Sequence, residues 1–258
     1  MKVWYMNGAG NDFMVIDARG LELNLKSMAV EYCKLTGADG FMAVDYSDVA
    51  DFRLHFYNSD GSRGEMCGNG ARCICRFAYD NGIAGEEMVV QTDAGLVPGW
   101  RLNENQYKVQ LNKPSIVDLH RKEDAAYVEL GDPGVPHAVK EIPGLTWEQG
   151  PALWEMARAL RFDPAFPKGA NANLYGWLDE TTVRILTFER GVEDYTLACG
   201  TGSGSVAVAL WADGKLPGGY LTVKNRGGDL AVTVMGREGK VDKLFLEGPT
   251  EVVKIMEV

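Results

Sequence analysis

A chain of 258 residues with 46% hydrophobic content can bury a substantial core, as one large domain or two modest ones. Its formal charge of −10, with three histidines and no run of Lys or Arg, argues against a nucleic-acid groove or an anionic membrane surface and favours a small-molecule partner. No apolar run approaches the roughly 20 residues of a membrane helix, and the opening residues lack the apolar core of a signal peptide. Five cysteines without a Cys-x-x-Cys spacing suit reduced thiols in the cytoplasm better than a zinc or disulfide framework.

Val3 and Tyr5 alternate with polar neighbours, and Phe13–Ile16 resumes after Asn7-Gly8-Ala9-Gly10-Asn11, which predicts a hairpin with an amide-bearing, glycine-rich loop. Met28, Tyr32 and Leu35 predict a surface helix capped at Ser27 and stopped by Gly37. Phe52, Leu54 and Phe56 alternate with Arg53, His55 and Tyr57, a half-buried strand that must turn at Asn58-Ser59-Asp60-Gly61. A mostly buried helix is expected from near Cys67 to Asn81-Gly82, then strands at Met88–Thr92 and around Tyr107, Val109 and Leu111. Lys113-Pro114 reads as a domain junction, because a proline ends the strand pattern near the midpoint.

In the second half, Tyr127–Leu130 predicts a strand, Gly131 to His137 a loop, and Pro151–Leu160 a helix with proline in its first turn. Phe166–Asn171 reads as a loop, and a strand around Val183 and Ile185 delivers Glu189-Arg190-Gly191. Val206–Trp211 is apolar all round, so that helix belongs at the centre of a domain. Strands at Tyr220–Val223, Leu230–Val234, Leu244–Leu246 and Val252–Met256 complete a strand-rich inventory with one buried helix per half.

The two halves share one motif. Met66-Cys67-Gly68-Asn69-Gly70 and Ala198-Cys199-Gly200-Thr201-Gly202 each place Cys-Gly-x-Gly before an apolar run, and Gly82 and Gly214 each fall fifteen positions beyond their cysteine. A cysteine at a helix N-terminus sits where unpaired N–H groups and the macrodipole favour the thiolate. The adjoining glycines let a carboxylate approach the same N–H groups. Two such loops facing each other across a cleft would set one thiol on each face of an α-carbon. That is two-base racemisation: one thiolate takes the proton, the opposite thiol returns one to the other face, and the helix N-termini stabilise the charge that builds on the carboxylate. No cofactor and no metal are implied, since Gly200-x-Gly202-x-Gly204 misses the dinucleotide spacing by one residue.

Asn11-Asp12-Phe13, Asn58-Ser59-Asp60-Gly61-Ser62, Met66-Cys67-Gly68-Asn69-Gly70-Ala71-Arg72-Cys73, Pro136-His137, Asn171-Ala172-Asn173, Glu189-Arg190-Gly191 and Ala198-Cys199-Gly200-Thr201-Gly202 span nearly the whole chain. In that order they resemble the diaminopimelate epimerase family. The resemblance implies an α+β fold of two pseudo-symmetric, strand-rich, barrel-like domains, each wrapped round a central helix, with the active site in the cleft between them. The expected division is 1–113 with the C-terminal strand 249–258, and 114–248. It implies a cytoplasmic, cofactor-independent isomerase that interconverts LL- and meso-diaminopimelate on the route to lysine and peptidoglycan. Its expected partners are the amino-acid substrate and a second copy of the chain, with no nucleic acid and no membrane. Carried over motif by motif, Cys67 and Cys199 are the base and acid pair, and His137 and Glu189 assist them. The backbone of Gly68, Asn69, Gly200 and Thr201 receives the reacting carboxylate, while Asn11, Asn58, Asn171 and Arg190 hold the substrate, Arg190 through a bidentate fork on the distal carboxylate.

Two features depart from the family's pattern. Val135 stands where many members carry an asparagine, and the segment between Gly191 and Cys199 is one residue longer than in some relatives. They bear on the substrate rather than the reaction, so a racemase of another amino acid stays open, as does a non-catalytic amino-acid-binding protein or an isomerase of different chemistry on the same architecture. Bland readings stand beside the functional ones. Cys33, Cys73 and Cys75 suit small buried hydrophobes, His55 a half-exposed strand position and His120 the surface. Asn11, Asn58 and Asn171 could be turn formers, and Glu189-Arg190 a solvated ion pair.

Overall fold

The computed structural model describes residues 1–64, 67–122 and 124–257; Met66 of the first cysteine loop and Val258 of the expected last strand lie outside the described residues. Strands β1 (Lys2–Gly8) and β2 (Asn11–Asp17) form the predicted hairpin. Its turn residues Ala9 and Gly10 have φ of 54° and 92°, the left-handed values a two-residue primed turn requires. Helix α1 (Leu25–Thr36) starts two residues earlier than its expected cap, because Asn24 rather than Ser27 caps it: the Asn24 side chain accepts from the Ser27 amide. Its buried stripe is Ala29 and Cys33, with Leu35 turned out to solvent.

Strand β3 (Gly40–Asp45) has no alternation to announce it, since Gly40–Val44 are buried on both faces and read as an apolar run. Strand β4 (Phe52–Asn58) leads to α2 (Gly68–Asp80), then to β5 (Glu87–Thr92), β6 (Gly95–Arg101) and β7 (Gln106–Leu111). Pro114, expected to end a strand pattern, instead opens β8 (Pro114–Lys122), at a first-residue position that a proline tolerates. Strands β9 (Ala125–Gly131) and β10 (Gly134–Glu141) form a hairpin, so the expected loop from Gly131 to His137 shrinks to a tight turn. His137 lies within β10, opposite Val128.

Helix α3 (Gly150–Arg161) carries its proline in the first turn as expected. Strand β11 (Asn171–Asp179) begins at the end of the predicted loop, and β12 (Thr182–Glu189) and the short β13 (Asp194–Tyr195) precede α4 (Gly200–Ala212). The chain finishes with β14 (Tyr220–Asn225), β15 (Gly228–Arg237), β16 (Lys240–Pro249) and β17 (Glu251–Glu257).

Internal contacts divide the chain into one unit of residues 1–110 with 247–258 and another of residues 111–246. In the first, β17 pairs with β1 and the sheet continues through β2, β3, β4, β5 and β6 to β7. In the second, β8 pairs with β9 and the sheet continues through β10, β11, β12 and β14 to β15. The two units repeat one topology. An antiparallel hairpin is followed by a helix and a parallel crossover (α1 into β3, α3 into β11), then a second hairpin. A central helix and another parallel crossover come next, α2 into β5 and α4 into β14.

Each central helix is wrapped by its own strands, α2 by β1, β2, β3 and β6, and α4 by β8, β9, β10, β11, β14 and β15. The fold is thus α+β, two strand-rich, barrel-like units alike in topology. The apolar character of α4 follows from that placement, since every residue from Gly202 to Leu210 is buried. Truncating one of them leaves a cavity that close packing cannot collapse around. Leu210→Ala should therefore cost about 2–5 kcal/mol in urea unfolding, while Leu35→Ala, at a position 73% exposed, should stay within about 0.5 kcal/mol.

Candidate active site

The two cysteines occupy equivalent places. Each is the N-cap of a central helix of 13 residues, with φ and ψ of −120° and 124° at Cys67 and −126° and 111° at Cys199. The extended cap conformation turns the side chain back over the first helical turn, where N–H groups have no intrahelical acceptor. At Cys199 this is realised as a hydrogen bond from the Gly202 amide to Sγ at 3.3 Å, with the Thr201 hydroxyl 3.5 Å from the same sulfur. Ser203 donates both its amide and its hydroxyl to the Cys199 carbonyl, at 2.9 and 3.0 Å. Cys199 is 7% exposed, and Cys67 is half-buried.

In the first unit the expected polar residues divide into two groups. The Asn69 side chain donates to Asn11 Oδ1 at 2.6 Å, tying the start of β2 to the first turn of α2, and Asn11 donates in turn to Asp39 Oδ2 at 3.2 Å. Asn69 therefore brings its side chain to this cluster, where the sequence pointed only to its backbone. Asn58 ends β4 on the exposed surface, and its amide side chain donates to the Ser62 hydroxyl at 2.9 Å, the turn-forming role. Gly8 is required here by close approach: a Cβ would come 2.8 Å from Cys73 Sγ and 2.9 Å from the Asn69 carbonyl.

The second unit gathers its candidates at the paired ends of β10, β11 and β12, where His137 lies opposite Asn171 and Ala172 opposite Phe188. Glu189 ends β12 half-buried. The Arg190 amide donates to Asn171 Oδ1 at 2.7 Å, and its exposed guanidinium donates to the Lys168 carbonyl at 3.1 Å. His137 is fully buried. Burial pushes its imidazole down to about 3, and the positive charge of Arg190 acts in the same direction. At neutral pH it is an uncharged hydrogen-bonding ring.

Several residues of this neighbourhood were not among the sequence-predicted site. Asn173, two positions along β11 from Asn171, is completely buried against His137, and Thr187 holds it from β12. Strand alternation was the available signal, since Asn171 and Asn173 share one face of β11. Glu129 on β9, 3% exposed, accepts from Tyr127 and from Lys168, the latter at 2.8 Å. Arg72 lies wholly inside the first unit, donating Nη1 to the Gly68 carbonyl at 3.3 Å, and burial pushes it down to about 10. Cys33, Cys73 and Cys75 are buried, and desolvation pushes them up to about 11, 12 and 12, so they remain neutral thiols. His55 is half-buried between Asp45 and Arg63, and His120 is exposed.

The fold is one that solved structures of an epimerase and of a phenazine biosynthesis protein share. The chain superposes along its full length on a phenazine biosynthesis protein of the PhzF family from Bacillus anthracis, with a TM-score of 0.73 at 16% identity and 98% of that chain covered. It also superposes on a hydroxyproline epimerase from Agrobacterium vitis, with a TM-score of 0.69 at 17% identity over 99% of this chain and 91% of the other. Sequence resolves the family within that fold. The diaminopimelate epimerase family profile matches residues 3–117 and 131–253. The diaminopimelate epimerase of Aquifex aeolicus is 36% identical, covering 100% of this chain and 96% of its own. That of Chlorobaculum tepidum is 34% identical, covering 96% and 97%. The chain belongs to the diaminopimelate epimerase family.

The buried imidazole carries a pH signature. Unfolded, His137 takes up a proton near its ordinary value of 6.5, whereas the folded ring stays neutral down to about 3. The unfolded state therefore binds more protons in this window, and stability falls as pH drops from 6.5 towards 3, by about 1.4 kcal/mol per unit from this group. Urea unfolding at pH 7 and pH 5 should show a smaller loss in His137→Gln than in the parent chain. Equal losses in both would contradict the buried neutral imidazole.

Proposed function

We propose that this chain is a diaminopimelate epimerase that interconverts the LL and meso isomers without a cofactor, in the biosynthesis of lysine and peptidoglycan precursors. The observation that carries this reading is the repeated cysteine cap in a chain of that family: each unit starts its central helix on a thiol. Binding alone would need only the helix N–H groups, not two thiols.

In this mechanism one cysteine, as thiolate, removes the α-proton and becomes a thiol. The electron pair left on the α-carbon spreads into the carboxylate. The other cysteine delivers its proton to the opposite face and becomes the thiolate, so the centre inverts and no electrons leave the system. The N–H groups of Gly68, Asn69, Gly200 and Thr201 meet the carboxylate as its charge grows. His137 and Glu189 orient the reacting groups, His137 as a neutral ring. Asn11, Asn58, Asn171 and Arg190 hold the remainder of the substrate, with the exposed guanidinium of Arg190 suited to the distal carboxylate. We place the reaction in the cytoplasm, because chemistry on two thiols requires a reducing compartment. Among the described residues no helix is long and apolar enough to cross a membrane.

One feature favours testing a second substrate class. Val135 lies two residues before His137 on β10 and so shares its face of the strand, an apolar side chain where many family members offer an amide. Incubation with LL-diaminopimelate in deuterated water should yield the meso isomer with deuterium at the α-carbon. Product from a different amino acid, with none from diaminopimelate, would move the assignment to another racemase. Cys67→Ala and Cys199→Ala should each lower kcat by at least about a thousandfold, within the range of a lost proton-transfer group, with circular dichroism unchanged. Near-parental turnover in either would remove the two-thiol mechanism.

A further inference from the structure

The Asn173 side chain touches three elements that bear on the site. Its Nδ2, with two hydrogens, lies among three neighbours: the Ala138 carbonyl at 3.0 Å, the Asn171 carbonyl at 3.1 Å and His137 Nδ1 at 3.1 Å. Its Oδ1 accepts from the Thr187 hydroxyl at 3.0 Å. The orientation of the amide is therefore fixed chemically, since two carbonyls can only accept and the hydroxyl supplies a proton to the oxygen. On its other side the amide abuts the first turn of α4: a Cβ at Gly202 would come 2.4 Å from Asn173 Oδ1, and the Gly202 amide is the one that donates to Cys199 Sγ. Asn173 and His137 are each 0% exposed.

This arrangement dictates a tautomer. An amide nitrogen has hydrogens and no lone pair to offer, so an imidazole nitrogen facing it must itself be bare. His137 Nδ1 is then the acceptor, and the ring's one hydrogen resides on Nε2, which is buried and has no hydrogen-bond partner among the described residues. We propose that Asn173 is a positioning residue that locks His137 as the Nε2–H tautomer, making His137 a hydrogen-bond donor towards the ligand rather than a base. The importance of this lock for turnover rests on the epimerase reading; the tautomer itself does not. The motif Asn171-Ala172-Asn173 does not by itself give Asn173 this role, because Asn173 acts only through groups that β10, β11 and β12 bring together.

Nitrogen-15 NMR of histidine-labelled protein tests this directly, with the His137 ring assigned by its loss in His137→Gln. The expected spectrum shows a bare, pyridine-type Nδ1 and a protonated Nε2 in the parent chain; a protonated Nδ1 there overturns the proposal without any variant. In Asn173→Asp the facing group becomes an acceptor, and the hydrogen should move to Nδ1. If that variant folds and the tautomer is unchanged, Asn173 does not set it. Thr187→Val removes only the donor that steadies the amide and should keep the Nε2–H ring. In epimerisation assays Asn173→Asp should lose at least about tenfold in kcat with KM nearly unchanged, the low end of the loss when the hydrogen-bond partner that orients an imidazole is removed, and Thr187→Val should retain most of it. A flipped tautomer with full kcat would overturn the positioning role. Absence of epimerase activity in the parent chain, with the tautomer as stated, would instead count against the proposed substrate alone.

Discussion

A buried helix must find something for the N–H groups of its first turn, and that requirement organises both halves of this protein. Most helices meet it with Ser, Thr, Asp or Asn. Here the N-cap position is a cysteine in each unit, with the side chain of Cys199 accepting from the first turn, and the helix behind it is enclosed by strands, so solvent has limited access to the first turn. The Gly202 amide on Cys199 Sγ shows the consequence: the helix satisfies a donor, and the sulfur gains a hydrogen-bond partner. The glycines one and three positions beyond each cap belong to the same constraint. At Gly202 the neighbouring strand comes so close that no Cβ fits.

The repeat accounts for the shared architecture, and its two copies differ in the groups beside the cap. In the first unit the polar groups beside the cap are side-chain amides, Asn69 on Asn11, which are always neutral and offer both donor and acceptor. In the second, a histidine and an asparagine sit wholly inside the protein, and the histidine is kept uncharged by burial and by Arg190. Topology is thus shared while the groups presented at the helix starts are not.

Features local in sequence were legible before the structure. A cysteine followed by Gly-x-Gly and an apolar stretch is a cap and a buried helix within one window, and both helices begin one residue past the cysteine. Half-buried strands such as β4 keep their period of two and were equally plain. Strand β3 was hidden because burial on both faces erases alternation, and β10 and β11 were hidden by the turn-forming residues at their starts. His137 and Asn171 were thus assigned to loops, though their chemical types marked them out. Asn173 was marked only by its place in Asn171-Ala172-Asn173 and by sharing the Asn171 face of β11, and its role was hidden for a different reason. Its partners come from positions 36 and 14 residues away, and only the pairing of β10, β11 and β12 puts them around one amide.

The central claim is that each thiol serves one face of the α-carbon, and stereospecific hydrogen exchange tests it most directly. With only one thiol left, a chain can still remove and return a proton on that thiol's own face. In deuterated water, Cys67→Ala should wash deuterium into the α-position of one diaminopimelate isomer without inverting it, and Cys199→Ala should do the same to the other isomer. Labelling of the same isomer by both variants, or inversion by either, would contradict the account.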